Sequence, residues 1–344
     1  MSEPAVYDTE YNRQPWRLSD AKAGELDLVL HAAVGELAGG LAAPVARIVG
    51  ARGQRLRPAL TLAVAALGGG RTGRDAEALG RAGAVELLHC ATLVHDDLID
   101  GATLRRGVPT VNAAEGECRA ILSGDLLIAA ACLLAARAGP DAGMLVAQTL
   151  ASLCRGEALE EDVRFDASVS VETLLDIVAL KTGSLIQAAC VLGAQTARLD
   201  RETSAAIARF GMEFGMSLQL LDDVVDVVST PVLAGKPVGV DFLAGTVTLP
   251  SALAMEHSPE LRSLLRPGLD DVSRRRALAL LRSPRAVRAA VAVAGEHIDA
   301  AGDALLGVNG GNLGFTELAA WPRRFFEAQL ATKVGPAAEF LRAI

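Results

Sequence analysis

Aromatic side chains are scarce in this sequence, with 2 Trp, 2 Tyr and 8 Phe making up 3% of 344 residues. Alternating apolar and polar runs closed by Asn-Gly or Asp-Gly turns are nearly absent as well, which disfavours strands. Positive charge is not in excess either. The formal net charge is −8, which argues against nucleic acid as the main partner, since a phosphate backbone calls for a clustered basic surface. A small phosphorylated substrate stays compatible, because a few converging basic residues suffice for it. The five cysteines (Cys90, Cys118, Cys132, Cys154, Cys190) include no CxxC pair, and most lie in apolar stretches. They read as inert thiols in a reducing cytoplasm. The polar start MSEPAVYDTEYNRQPW has no signal-peptide core. The most apolar run, residues 120–136, is interrupted by Asp125 and falls short of the roughly 20 residues that a membrane span needs. It reads as a buried helix, with no transmembrane segment in the chain.

What is abundant is aliphatic. Hydrophobic residues make up 51% of the chain and charged residues 22%, with a mean hydropathy of +0.32, enough for a large core. Alanine and leucine dominate and favour helices. Apolar residues recur at helical spacing, as in Leu26, Leu28, Val29, residues 31–34 and Leu37. Breaks fall at Gly68-Gly69-Gly70, Gly139-Pro140, residues 164–170, residues 230–250, Ser258-Pro259, Pro267-Gly268 and Gly310-Gly311. The segments between them predict roughly ten or more helices. The simplest organisation is a flexible tail over residues 1–20 and one all-α domain over 21–344.

Two acidic clusters share one spacing: Asp96-Asp97-Leu98-Ile99-Asp100 after VELLHCATLVH, and Asp222-Asp223-Val224-Val225-Asp226 after GMEFGMSLQLL. On a helix, Asp96 projects beside Asp100 and Asp222 beside Asp226, with Cβ atoms about 5–6 Å apart. Like charges at that spacing destabilise a helix, and carboxylates among Leu, Ile and Val are costly to bury. A single such cluster reads equally well as a solvated acidic stripe. Two of identical spacing in apolar helices point instead to a hard divalent cation such as magnesium, which keeps waters and shares phosphate oxygens. Carboxylates from two facing helices would then clamp a diphosphate. Basic residues that could join them are Arg52, Arg55, Arg57, Arg105, Arg106, Lys181 and Lys236. Singly, each is most often a solvated surface residue.

In order along the chain stand GQRLRP, HCATLVHDDLIDGATLRRGVPTVN, SGDLL, KTGSL, QLLDDVVD and GKPVGVDFLAGTVTLP. This series resembles the trans-isoprenyl diphosphate (polyprenyl) synthases from about residue 45 to about 255. A lone DDxxD is weak; the block joining the first motif to LRRG, followed by KTG and a second DDxxD, is specific. The resemblance implies an all-α bundle around a deep central cavity, a homodimer, and magnesium, three ions per active site with substrate bound. It implies metal binding by Asp96, Asp97, Asp100, Asp222, Asp223 and Asp226. It assigns the allylic diphosphate to Arg105, Lys181, Gln219 and Lys236, with Lys181, Thr182, Gln219 and Lys236 as catalytic residues. It assigns isopentenyl diphosphate to Gln54, Arg57, His89 and Arg106. His89 could equally be a core histidine, but its place seven residues before Asp96 matches the family, whereas His95 reads as structural. Residues 230–250 are the candidate lid.

Two departures stand out. The family carries lysine where this chain has Gln54, so a cation facing isopentenyl diphosphate is missing, with Arg52 or Arg55 as candidate substitutes. The family's EGK is Ala244-Gly245-Thr246 here. In the family a bulky aromatic four or five residues before the first aspartate stops the growing chain. Those positions are Thr92 and Ala91 here, so a product of geranylgeranyl length or longer is expected. Two same-fold rivals are a class I terpene cyclase and an enzyme with an unusual acceptor. A rival of another class is a non-catalytic subunit of a heteromeric synthase. QLLDDVVD argues against a cyclase, retention of all six aspartates argues against a subunit, and Gln54 keeps the unusual acceptor open.

Overall fold

A computed structural model describes residues 16–51, 53–68, 74–105, 107–234, 238–308 and 313–334. Most of the tail assigned to residues 1–20, together with Arg52, Arg106, Lys236 and Gly310-Gly311, lies outside the described residues. The chain is all-α, as its composition predicts. Its helices are α1 (Asp20–Gly35), α2 (Ala42–Gly50), α3 (Leu56–Ala66), α4 (Asp75–Ile99), α5 (Val111–Glu115), α6 (Glu117–Arg137), α7 (Pro140–Asp162), α8 (Val171–Val178) and α9 (Ser184–Ala197). They continue with α10 (Arg201–Val228), α11 (Pro231–Ala234), α12 (Val240–Ala244), α13 (Leu249–Glu256), α14 (Pro259–Leu264), α15 (Asp271–Leu281), α16 (Pro284–Leu306), α17 (Leu313–Ala319) and α18 (Trp321–Lys333). Among the described residues the strands are confined to one antiparallel hairpin, β1 (Leu104–Arg105) with β2 (Val108–Pro109).

Local chemistry sets many of the starts. Ser19, Thr110, Ser170, Ser258 and Asp270 each accept a backbone N–H of the helix they precede, filling one of its orphan donors. Thr248 and Ser251 cap α13 reciprocally, with Pro250 in the first turn where its missing N–H costs nothing. Residues 230–250, expected to be a loop, contain α11 and α12.

The chain divides into two compact units: Met1–Gln148 with Ala188–Ser204, and Thr149–Gln187 with Ala205–Ile344. The first unit is organised by α4 against α6, where Leu87, Leu88, Ala91 and Val94 of one helix and Leu127, Ala130, Ala131 and Leu134 of the other are buried. Arg81, on α4, donates to the Thr196 hydroxyl at 2.8 Å and the Ala138 carbonyl at 3.0 Å, tying the ends of α9 and α6 to it. In the second unit Leu220, Leu221, Val224 and Val225 of α10 share a core with Phe242, Leu249, Met255, Val287 and Val291. Phe214 meets Phe210 at 6.0 Å and Phe325 of α18 at 5.9 Å between ring centres; aromatic pairs at such spacing add about 0.5–1.5 kcal/mol beyond area burial.

Close approach in the first unit depends on Gly193. A Cβ there would lie 2.5 Å from the Thr61 carbonyl oxygen and 2.7 Å from Val64 Cβ, so α3 and α9 pack through the missing side chain. Gly193→Ala is therefore expected to lower the melting temperature measured by circular dichroism, at a cost of about 1–3 kcal/mol for overpacking. Gly24→Ala on α1, where nothing lies within 4 Å, should raise it through helix propensity. Equal melting of Gly193→Ala and the parent would contradict the packing.

Candidate active site

The first aspartate motif closes α4. The Asp100 N–H donates to the Asp96 carbonyl at 2.8 Å, so helical geometry persists through the motif and the two side chains share a face. Asp96 is half-buried and Asp100 exposed. Negative charge at a helix C-terminus opposes the helix dipole, which sharpens the demand for cations there. Asp97 is buried and already matched. Arg105 Nε donates to its Oδ1 and Oδ2 at 2.9 and 3.0 Å, and a second guanidinium nitrogen lies 2.8 Å from Oδ1.

The turn that follows α4 brings Arg105 back to it. Gly101, with φ of 62°, lies in that turn, and Gly107, with φ of 77°, lies in the hairpin turn beyond Arg105. The Asp97 carbonyl accepts from Ala102 N–H at 2.8 Å and from Asn112 at 3.3 Å, while Thr110 donates to the Ala102 carbonyl at 2.7 Å. Asp97 is thus the anchor of the loop that follows the motif, and Arg105 keeps a partly exposed edge, at 39% of its side chain.

The remaining expected residues of the first unit fall near the start of α3 and along α4. Gln54 is exposed, and Arg57 and His89 are half-buried. Arg55 is not available to substitute for a missing lysine. It is 8% exposed, and its guanidinium donates to Glu86 at 2.6 Å and the Val49 carbonyl at 2.7 Å. That candidate role is corrected: its charge is consumed inside the fold. His95, expected to be structural, contacts the Ile121 carbonyl at 3.3 Å and Asp125 at 3.8 Å. Of the chain-length positions, Ala91 is fully buried and Thr92 half-buried, its hydroxyl donating to the His89 carbonyl at 2.9 Å.

The second motif lies near the end of α10, with Asp222 exposed and Asp223 and Asp226 buried. Thr182 donates to Gln219 Oε1 at 2.8 Å and Gln219 Nε2 donates to Asp223 Oδ1 at 2.8 Å, so KTG and QLLDD join in one hydrogen-bonded chain. A π-helical turn, Ala179–Gly183, carries Lys181 and Thr182; such turns are frequent at functional sites. Gly183 and Gly215 let it sit against α10, since a Cβ at Gly215 would lie 2.7 Å from Gly183 Cα. Burial pushes the Asp223 carboxyl well above the usual range, the Asp241 charge adds to this, and the Gln219 hydrogen bond opposes it.

Lys181 does not stand alone. It lies 2.7 Å from Glu157 and 2.5 Å from Glu160, both on α7. Burial by itself would lower the Lys181 pKa; Glu160 and Glu157 outweigh it and hold the ammonium above its usual value. Burial raises the Glu160 carboxyl, with Lys181 opposing. Lys333, at the end of α18, donates to Asp222 Oδ1 at 3.2 Å.

The polyprenyl synthetase family pattern matches residues 39–278. The chain belongs to the polyprenyl synthetase family. It is 42% identical over 246 residues to the nonaprenyl diphosphate synthase of Mycobacterium tuberculosis, covering 70% of this chain and 72% of that one. It also resembles the crystal structure of heptaprenyl diphosphate synthase from Staphylococcus aureus, with a TM-score of 0.83 and 27% identity over 90% of this chain and 99% of that one. A polyprenyl synthase from Caulobacter crescentus, crystallised with calcium and isoprenyl diphosphate, matches with a TM-score of 0.80 and 30% identity over 88% and 94% of the two chains.

For a polyprenyl synthetase the donor set suits a hard cation. All donors in the two motifs are carboxylate oxygens, and Asp96, Asp100 and Asp222 are at least partly open. Among the described residues no three His, Cys, Asp or Glu side chains converge closely enough to hold a metal unaided. Four further charged residues belong to the neighbourhood of the second motif: Glu157, Glu160, Asp241 and Lys333. Glu157 and Glu160 share a face of α7 at i, i+3 spacing, a signal present in GEALEED; nothing local in the sequence points Lys333 at Asp222.

The Asp97–Arg105 pair yields a direct test. Hydrogen bonds to charged groups contribute about 1.5–3 kcal/mol, so Asp97→Asn should speed amide exchange across residues 102–112 at least about tenfold. Exchange within the α4–α6 core should change far less. Unaltered protection of the hairpin would show that Arg105 is not its anchor.

Proposed function

We infer that the chain is a trans-polyprenyl diphosphate synthase that condenses an allylic diphosphate with isopentenyl diphosphate. The carrying observation is that a family member retains both aspartate motifs intact, with Thr182, Gln219 and Asp223 linked beside the second. Asp96 and Asp100 of the first motif, and Asp222 of the second, would hold magnesium, with Asp97, Asp223 and Asp226 supporting them. Bound magnesium supplies neutralisation of the charge that gathers on the departing pyrophosphate.

The chain's own groups do the rest. Arg105, Lys181, Gln219 and Lys236 hold the allylic diphosphate, with Thr182 a catalytic residue beside them; Gln54, Arg57, His89 and Arg106 hold isopentenyl diphosphate. The allylic C–O bond breaks and its electron pair leaves with pyrophosphate. The double bond of isopentenyl diphosphate then forms the new C–C bond, and the proton lost from the adjacent carbon passes to pyrophosphate. Preorganised donors at the departing oxygens act electrostatically. Lys181 meets them fully protonated because Glu157 and Glu160 keep it so.

Small residues at Ala91 and Thr92 support a product of geranylgeranyl length or longer. A homodimer is favoured by α6, which exposes Ile121, Leu122 and Leu133 at 43–46% of their surface, and a cytoplasmic site by five free cysteines. Two helical stretches, Glu117–Arg137 and Val171–Ala197, are long and apolar enough to cross a membrane, with 44% and 67% of their apolar windows buried; we read both as core helices. The exposed Gln54, with Arg55 spent elsewhere, favours one second reading, an acceptor other than isopentenyl diphosphate.

Magnesium and labelled isopentenyl diphosphate, offered with each allylic primer, decide among these. Linear diphosphates beyond fifteen carbons support the synthase. Only fifteen-carbon products refute the length assignment, hydrocarbons indicate a cyclase, and no turnover leaves a subunit or another acceptor. Thr92→Phe should shorten the product and is the cleaner probe, because a ring at fully buried Ala91 would disturb packing. Product length unchanged in Thr92→Phe would reject the floor assignment.

A further inference from the structure

Arg55 is one of three non-glycine residues among those described with positive φ, at 51°. With ψ of 34° it occupies the left-handed region, immediately before α3. That conformation is strained for a residue with a Cβ and persists only where its surroundings over-determine it. The surroundings here are explicit. The guanidinium is buried and reaches Glu86 of α4 at 2.6 Å, the Val49 carbonyl at the end of α2 at 2.7 Å, and Asp27 of α1 at 3.5 Å. Glu86 is itself 5% exposed, so the pair is deep, and removing either partner leaves a buried charge unmatched. The Arg55 carbonyl also accepts from Ala59 N–H at 3.0 Å, which fixes the first turn of α3. One side chain therefore fastens three helices and the backbone of the segment bearing Gln54 and Arg57.

We propose that Arg55, held by Glu86, is a positioning residue for isopentenyl diphosphate: it sets the left-handed turn that presents Gln54 on one side and Arg57 on the other. This rests on the reading of Gln54 and Arg57 as ligands of that substrate. The two residues flank this left-handed Arg55 in sequence, Gln54 exposed before it and Arg57 half-buried in the first turn of α3. A right-handed or extended Arg55 would re-aim Gln54 relative to α3. A glycine at 55 would adopt the same φ without strain but would lose the tether, so backbone freedom and anchoring can be separated.

The test uses the full chain with Glu86→Gln, Arg55→Lys and Arg55→Gly, and Asp27→Asn as the milder outer-partner variant. Misplacing a binding group costs up to about a hundredfold; about a tenfold rise in KM for isopentenyl diphosphate is expected in the first three variants. The KM for the allylic primer and the kcat at saturation should move less than about twofold, a split that general destabilisation would not produce. Calorimetric titration of isopentenyl diphosphate should show the same loss of affinity without turnover. Arg55→Gly behaving like the parent, or both KM values rising together, overturns the inference. Should Arg55 or Glu86 variants fold poorly, Asp27→Asn carries the test: a selective rise in the isopentenyl diphosphate KM supports the inference, and an unchanged KM opposes it. Arg57→Ala is the control: an unchanged isopentenyl diphosphate KM there removes the ligand reading and the inference with it. A raised KM in Arg57→Ala beside unchanged Arg55 variants removes the inference alone.

Discussion

Burying Asp97, Asp223 and Asp226 within apolar helices creates a demand for positive charge and hydrogen-bond donors that shapes everything around the two motifs. The first motif answers it with the turn after α4, which brings Arg105 back onto Asp97. The second answers it with a relay of neutral donors, Thr182 to Gln219 to Asp223, and with Lys333 reaching Asp222 from the last helix. Asp96, Asp100 and Asp222 keep open surface, which leaves carboxylate oxygens in each motif accessible from solvent.

The same logic governs the cations. Burial alone would lower the pKa of half-buried Lys181, yet the two glutamates of α7 that face it hold it above its usual value. Arg55 is the opposite case: a cation whose charge is wholly used in joining helices, and whose value lies in the backbone it holds. Counting basic residues near the motifs therefore overstates how many can meet a substrate.

Much of the fold was legible because its signals are local. Alanine-rich 3.6-residue periodicity and breaks such as Ser258-Pro259, where α14 starts, act within a few residues of where they are read. The i, i+4 aspartates and the KTG segment were legible for the same reason, and the helical geometry at Asp96 and Asp100 follows that reading. The burial of Arg55 was not, since its partners Asp27 and Glu86 lie 28 and 31 residues away. Lys333 meets Asp222 across 111 residues, and the Glu157–Glu160 grip on Lys181 needs α7 and the π-helical turn side by side. What the sequence hid is long-range electrostatic pairing, which no periodicity encodes.

The central claim is that the open aspartates bind diphosphate through magnesium rather than serving as a solvated acidic surface. The most direct measurement is calorimetric titration of pyrophosphate into the full chain, with magnesium and then with a chelator, for the parent and for Asp96→Asn and Asp222→Asn. The account predicts saturable binding only with magnesium, weakened at least about tenfold, or 1.4 kcal/mol, in either variant. Equal affinity in the chelator, or in both variants, would contradict it.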